Sequence, residues 1–202
     1  MRHPGMLPGQ QLPRDARSLA AINLLLARGA DKTAHANERS LLEHLIGTAR
    51  LLLLWNAPID TVRAGLCHSI YGTNAFRTAT MRRNERALLQ QTIGRRAEAL
   101  VWSFSRLRRP ATLQRALRHG SNLVRERSGR TRHIDSSSLQ QLFILECANL
   151  LDQGVSMTHA RRLLREATRL QNPSPVMLED FRRQQRYAKR IRCTESAARS
   201  SH

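Results

Sequence analysis

Lysine is nearly missing from this chain: only Lys32 and Lys189 contribute to its 34 basic residues, so a formal charge of +19 is carried almost wholly by arginine. Such a charge ordinarily implies a polyanionic partner, because clustered cations release counterions when they meet phosphates. An arginine bias in the coding composition would give the same charge with no binding role, and the sequence leaves both readings open. Aromatic residues are only 4% of the chain, which argues against the base-stacking sheets of RNA-binding domains. The three cysteines, Cys67, Cys147 and Cys193, lie far apart and form neither a CxxC nor a Cys/His zinc pattern, so a reducing compartment is the simple expectation. No apolar run approaches the ~20 residues of a membrane span. Residues 1–11, MRHPGMLPGQQ, lack the apolar stretch of a signal peptide, and the expected setting is cytoplasmic, with no membrane partner. A GxSxG elbow, a Walker A loop, a GxGxxG run, a zinc finger and a helix-turn-helix signature are all missing. Cys67 and His68 are neighbours in sequence, but on a helix they point about 100° apart, which disfavours a nucleophilic Cys/His pair.

What remains is helical periodicity. At 202 residues the chain suits one domain with tails: a flexible arm over 1–15, a helical domain over 16–172 and a basic helix and tail over 173–202. Helices are expected at 16–28 with a face of Leu19, Ile22 and Leu26, at 40–55, at 59–70, and at 84–104. Four more are expected near 111–127 and at 136–153, 157–170 and 176–192. Ser40 followed by Glu43 has the form of a capping box, and Gly154 and Gly72 are placed to end helices in the left-handed conformation. No alternating strand pattern or two-residue hairpin signal is visible, so the expected fold class is all-α, a bundle of about six to eight helices.

Chemistry concentrates at two histidines. His44 stands in LLEHLIGTARLL and His68 in AGLCHSIYGT, on two helices joined only by Asn56, Ala57 and Pro58. A single histidine on an apolar helix is usually a satisfied core residue. Two on adjacent antiparallel helices can meet at one point, which is how helical domains build metal sites. His44, a spacing of 24 residues and the AGLCHS helix end resemble the HD-domain superfamily of metal-dependent phosphohydrolases over roughly residues 35–153. The His-Ser-x-Tyr-Gly-Thr run and the later ANLLDQ stretch are similar to an HD-like branch with no assigned activity.

The resemblance implies an HD-like helical fold and a metal-dependent hydrolase, or a metal-dependent oxygenase, acting on a small anionic substrate, phosphorylated or not. It maps the first metal-binding histidine onto His44 and the dyad histidine onto His68. Ser69 takes the place of the dyad aspartate, and Asn149 falls where the family's final aspartate stands, so both carboxylates are replaced by neutral oxygens. Metal affinity should fall accordingly. His35 and Glu146 could complete a shell for a divalent iron, manganese or zinc ion, with Glu43 and Asp152 as further candidates. Ser69, Tyr71, Thr73 and Arg77 are the candidate substrate contacts. For Tyr71 to Thr73 a simple helix stop explains the sequence equally well. The rival reading is a catalytically inactive HD-like module for ligand sensing or interaction.

Between Arg106 and His133 nine arginines face the single acid Glu126, and the tail from Arg182 holds seven cations against Glu195. These arginines could grip phosphate in a bidentate way or form a solvated surface. Nonspecific nucleic-acid contact by the basic arms is one expectation, a solvated surface the other, and sequence-specific recognition is not supported.

Overall fold

The computed structural model describes residues 14–35 and 38–186. The expected N-terminal arm up to residue 13, Cys193 and the basic tail beyond residue 186 lie outside them. Helix α1 (Ala16–Ala27) starts at Asp15, whose side chain accepts from Ser18 N at 3.1 Å. Its buried face is Ser18, Ala21 and Leu25, whereas Leu19 and Leu26 stay 47% and 45% exposed. The small side chains let α1 lie close against α3 (Ile59–Cys67), so the helix is turned from the face expected from its larger residues.

Helix α2 (Leu41–Leu54) begins with the expected capping box: Ser40 Oγ accepts from Glu43 N at 3.2 Å, and Glu43 accepts from Ser40 N at 2.7 Å. That box spends Glu43 at the surface. A tight turn containing Asn56 at φ 55° reverses the chain into α3, which packs along α2. Gly65 sets the closeness of that packing, because a Cβ there would stand 2.5 Å from Leu52 and 3.5 Å from the Ala49 backbone.

The single helix expected over 84–104 is two. A short 3₁₀ turn (Arg83–Glu85) leads into α4 (Arg86–Ile93), Gly94 turns the chain at φ 95° and ψ 150°, and α5 (Arg95–Arg106) follows. That backbone geometry is open to glycine alone. The break folds α4 back on α5, so that Arg86 and Gln90 both reach the fully buried Glu98 (2.6, 2.7 and 3.0 Å). Apolar periodicity cannot show such a kink, since both halves keep a helical pattern.

The helix expected near 111–127 stops early. Helix α6 (Ala111–Arg118) gives way to a small antiparallel hairpin of β1 (Leu123–Arg125) and β2 (Thr131–His133), with Val124 opposite Arg132. Each strand has three residues and only Val124 is buried, too few for an alternating signal. The connection closes through Glu126 N to Arg130 O at 2.9 Å, with Gly129 at φ 88°.

Helix α7 (Ser136–Asp152) is the buried axis of the molecule, packed on α2, α3, α5 and α6. Helix α8 (Met157–Ala167) packs on α6 and α7, with Gln171 beyond it donating its N–H to Gln140 near the start of α7 at 3.1 Å, and a last helix, α9 (175–186), follows. Met177 and Phe181 of α9 enter the same core, and Trp55 Nε1 donates to Asp180 at 2.8 Å, tying α9 to the end of α2. The fold is all-α, with one minor hairpin. No helix among the described residues is long and apolar enough to cross a membrane.

Candidate functional site

His44 lies in the first turns of α2 and His68 caps the C-terminal end of α3, so the turn at residues 55–58 brings the start of one helix beside the end of the next. Both rings are almost fully buried. His44 Nδ1 is 2.7 Å from Asp152 Oδ2, and His68 Nδ1 is 2.8 Å from the Gly65 carbonyl oxygen. Both partners are oxygen acceptors, so each Nδ1 carries the donated hydrogen. In the neutral rings the lone pairs then sit on the two Nε2 atoms, which are only 3.2 Å apart.

A third acceptor joins them. Asn149 Oδ1, on α7, is 3.1 Å from His44 Nε2. The orientation of the amide follows from its other end, where Nδ2 donates to Glu146 Oε2 at 3.3 Å. Glu146 is held in turn by Arg109, whose guanidinium also donates to Phe104 O at 3.0 Å and stacks on the Phe104 ring. Burial pushes the Glu146 carboxyl above the usual range against the pull of Arg109. Gln153, one turn after Asn149, places Nε2 2.9 Å from Asn149 Oδ1 and 3.4 Å from His44 Nε2.

His35 covers this cluster. Its ring stacks on His44 at 4.3 Å with an interplanar angle of 15° and meets Phe76 edge-on. Both its ring nitrogens are buried without a hydrogen-bond partner among the described residues. Burial, helped by the nearby His44, lowers its pKa to about 4, and desolvation likewise drives His68 well below the ordinary histidine value. Beside the histidines opens a cavity of about 290 Å³, lined by His35, Ser69, Thr73, Arg109, Asn149 and Gln153.

The structure therefore brings together His44, His68 and Asn149, lays His35 over them, and puts Ser69 and Thr73 on the cavity wall. Glu146 stands behind Asn149, engaged by Arg109. Tyr71 does not reach the cavity: its hydroxyl donates to Glu98 at 3.2 Å and its ring meets Trp102, because the last turn of the α3 segment aims it toward α5. Arg77 is exposed and does not line the cavity either. Three contributors carried little sequence signal. Arg109 is one arginine among many, Arg39 reaches Asp152 at 3.0 Å across 113 positions, and Gln153 shows only as the end of ANLLDQ. Among the described residues no three His, Cys, Asp or Glu side chains form a metal-binding group.

No curated protein and no solved structure matches the chain. Residues 24–109, which span both histidines, Ser69 and Arg109 but stop before Asn149, match the family model of a domain of unknown function (DUF6817).

Proposed function

We propose that the chain is an HD-like metal-dependent hydrolase, or a related oxygenase, acting on a small anionic, phosphorylated substrate held in the 290 Å³ cavity. The observation that carries this reading is the 3.2 Å approach of His44 Nε2 and His68 Nε2, the Nδ1 of each ring being engaged by an oxygen acceptor. With both rings neutral the two lone pairs would oppose each other, and either a proton shared between the Nε2 atoms or a cation between them relieves that repulsion. Ligand atoms about 2.1 Å from one ion and subtending about 90–110° are about 3.0–3.4 Å apart, so the spacing suits a shared divalent ion.

His44, His68 and Asn149 would hold the ion, which would act as a Lewis acid and acidify water beside the substrate. Asp152 fixes the ring of His44 from behind, the carboxylate–histidine arrangement that raises ligand basicity. Arg109 and Glu146 hold the Asn149 oxygen toward the histidines. Ser69 and Thr73 offer hydroxyls at the cavity wall, while His35 and Phe76 shield the histidine pair from water.

One observation favours the second reading, an inactive ligand-sensing module. Neither nearby carboxylate points at the Nε2 pair: Asp152 faces Nδ1 of His44 and Arg39, and Glu146 faces Arg109. Elemental analysis of the purified protein decides between them. The enzyme reading expects about one iron, manganese or zinc per chain, lost in His44→Gln and His68→Gln variants that keep their helical circular dichroism, and turnover in a screen of phosphoesters. Metal-free protein that takes up no added ion removes the enzyme reading.

A further inference from the structure

A second concavity, of about 360 Å³, lies between the C-terminal end of α5, the hairpin and the 3₁₀ turn, lined by Arg83, Ser105, Arg106, Glu126, Arg127 and Ser128. We propose that it binds a diphosphate group, free or at the end of a small molecule. This proposal does not depend on the histidine site.

The charge is unbalanced. Among the described residues Glu126 is the single acid lining the concavity, and it already contacts Arg106 at 2.7 Å and Arg132 at 3.9 Å. Arg83, Arg106 and Arg127 against this one lining carboxylate leave two positive charges uncompensated, and Arg132 stands behind Glu126 without lining the concavity. Among the described residues neither Arg83 nor Arg127 has a carboxylate within 4.0 Å. A diphosphate supplies the matching negative charge, and guanidinium forks suit its oxygens.

Two of the cations, Arg106 and Arg127, are also hydrogen-bonded within the protein. Arg106 is fixed by Glu126 and lies 5.4 Å from the centre of the Trp102 ring, which Arg83 approaches at 5.8 Å. Arg127 is anchored twice, its backbone N–H donating to Arg106 O at 2.7 Å and its side chain to Ser105 O at 3.3 Å. A loose surface charge must be ordered on binding, at a cost in affinity, and these hydrogen bonds lower that cost at Arg106 and Arg127, whereas Arg83 is exposed and meets the Trp102 ring at 5.8 Å. Their concave arrangement suits a compact ligand better than an extended strand.

Calorimetric titration of the full chain with pyrophosphate at fixed ionic strength tests this. Saturable binding at one site is expected, weaker for inorganic phosphate, and weakened about 100-fold in the Arg83→Gln/Arg127→Gln double variant, about tenfold for each guanidinium removed. Arg161→Gln/Arg162→Gln, on the exposed face of α8, should change affinity less than about twofold, as expected for screened surface charge, and His68→Gln should leave it intact. The proposal is overturned by the lack of saturable binding, by an equal loss in the α8 variant, or by loss in His68→Gln, which would put the ligand in the histidine cavity. It is also overturned if an oligonucleotide binds more tightly with length and pyrophosphate does not displace it, since that describes an extended polyanion surface.

Discussion

The Asp152 carboxylate occupies the space beside Gly47: a Cβ at position 47 would stand 1.9 Å from Asp152 Oδ1 and 2.8 Å from its Cγ. Glycine in the middle of α2 costs about 1 kcal/mol of helix propensity relative to alanine, and here that cost is offset by letting α7 deliver the carboxylate to His44. Gly47→Ala should therefore fail to stabilise the helix. We expect a net loss of about 1–3 kcal/mol, as for an overpacked core, together with weaker metal uptake. Chemical denaturation of the variant is the measurement, and an increase in stability would show that Asp152 moves aside freely.

Asn149→Asp puts back an anionic oxygen without changing the shape of the side chain. In metal-free protein it brings two carboxylates to the place where Asn149 Nδ2 now donates to Glu146 at 3.3 Å, so stability should fall by about 1–3 kcal/mol. With a divalent ion present the same change should raise affinity about tenfold or more, because a hard anionic ligand replaces a neutral one. Metal titrations of both proteins, followed by thermal melts, test the pair of effects. A variant destabilised with and without metal would place Asn149 outside any donor set.

The buried pair of Arg109 and Glu146 should respond unequally to the loss of either partner. Glu146→Leu leaves a guanidinium that cannot shed its charge, and should cost about 3–5 kcal/mol. Arg109→Met leaves a carboxyl that burial already drives toward its neutral form, so the cost should be smaller and should shrink further at pH 5. The double variant should be milder than Glu146→Leu alone. Urea titrations at pH 7 and pH 5 provide the comparison, and equal costs for the two single changes would contradict it.

Histidine burial sets a pH dependence for the metal-free protein. The pKa of His35 falls from 6.5 in the unfolded chain to about 4 in the fold, and that of His68 is lowered in the same direction. Between these values the unfolded chain binds more protons than the folded one. Their contribution is thus complete above pH 6.5 and is lost progressively as the pH falls toward 4. Glu146, with its raised pKa, acts in the opposite sense above pH 4.5 and offsets part of the loss. Denaturation midpoints across this range, in chelator-treated protein, should slope downward with acidity, and His35→Gln should flatten the slope. An unchanged slope in that variant would mean that His35 titrates as it does in water.

The helical class, the capping box at Ser40 and Glu43, and the proximity of His44 and His68 were all legible in the order of residues. Each rests on interactions within a few residues or across one short turn, where spacing translates directly into geometry. Resemblance also pointed to Asn149, whose side-chain oxygen lies 3.1 Å from His44 Nε2. Packing of the whole chain was needed for everything else. It broke the helix at Gly94, because burying Glu98 against Arg86 and Gln90 requires a turn that apolar periodicity does not encode. It turned α1 onto Ala21 and Leu25, made a hairpin from two three-residue strands, and sent Tyr71 to Glu98. It also joined Asp152 to His44 across 108 positions and Arg109 to Glu146 across 37. Contacts so distant in the chain depend on how whole helices pack, and helix packing is fixed by the shape and charge of all the side chains together rather than by any local pattern.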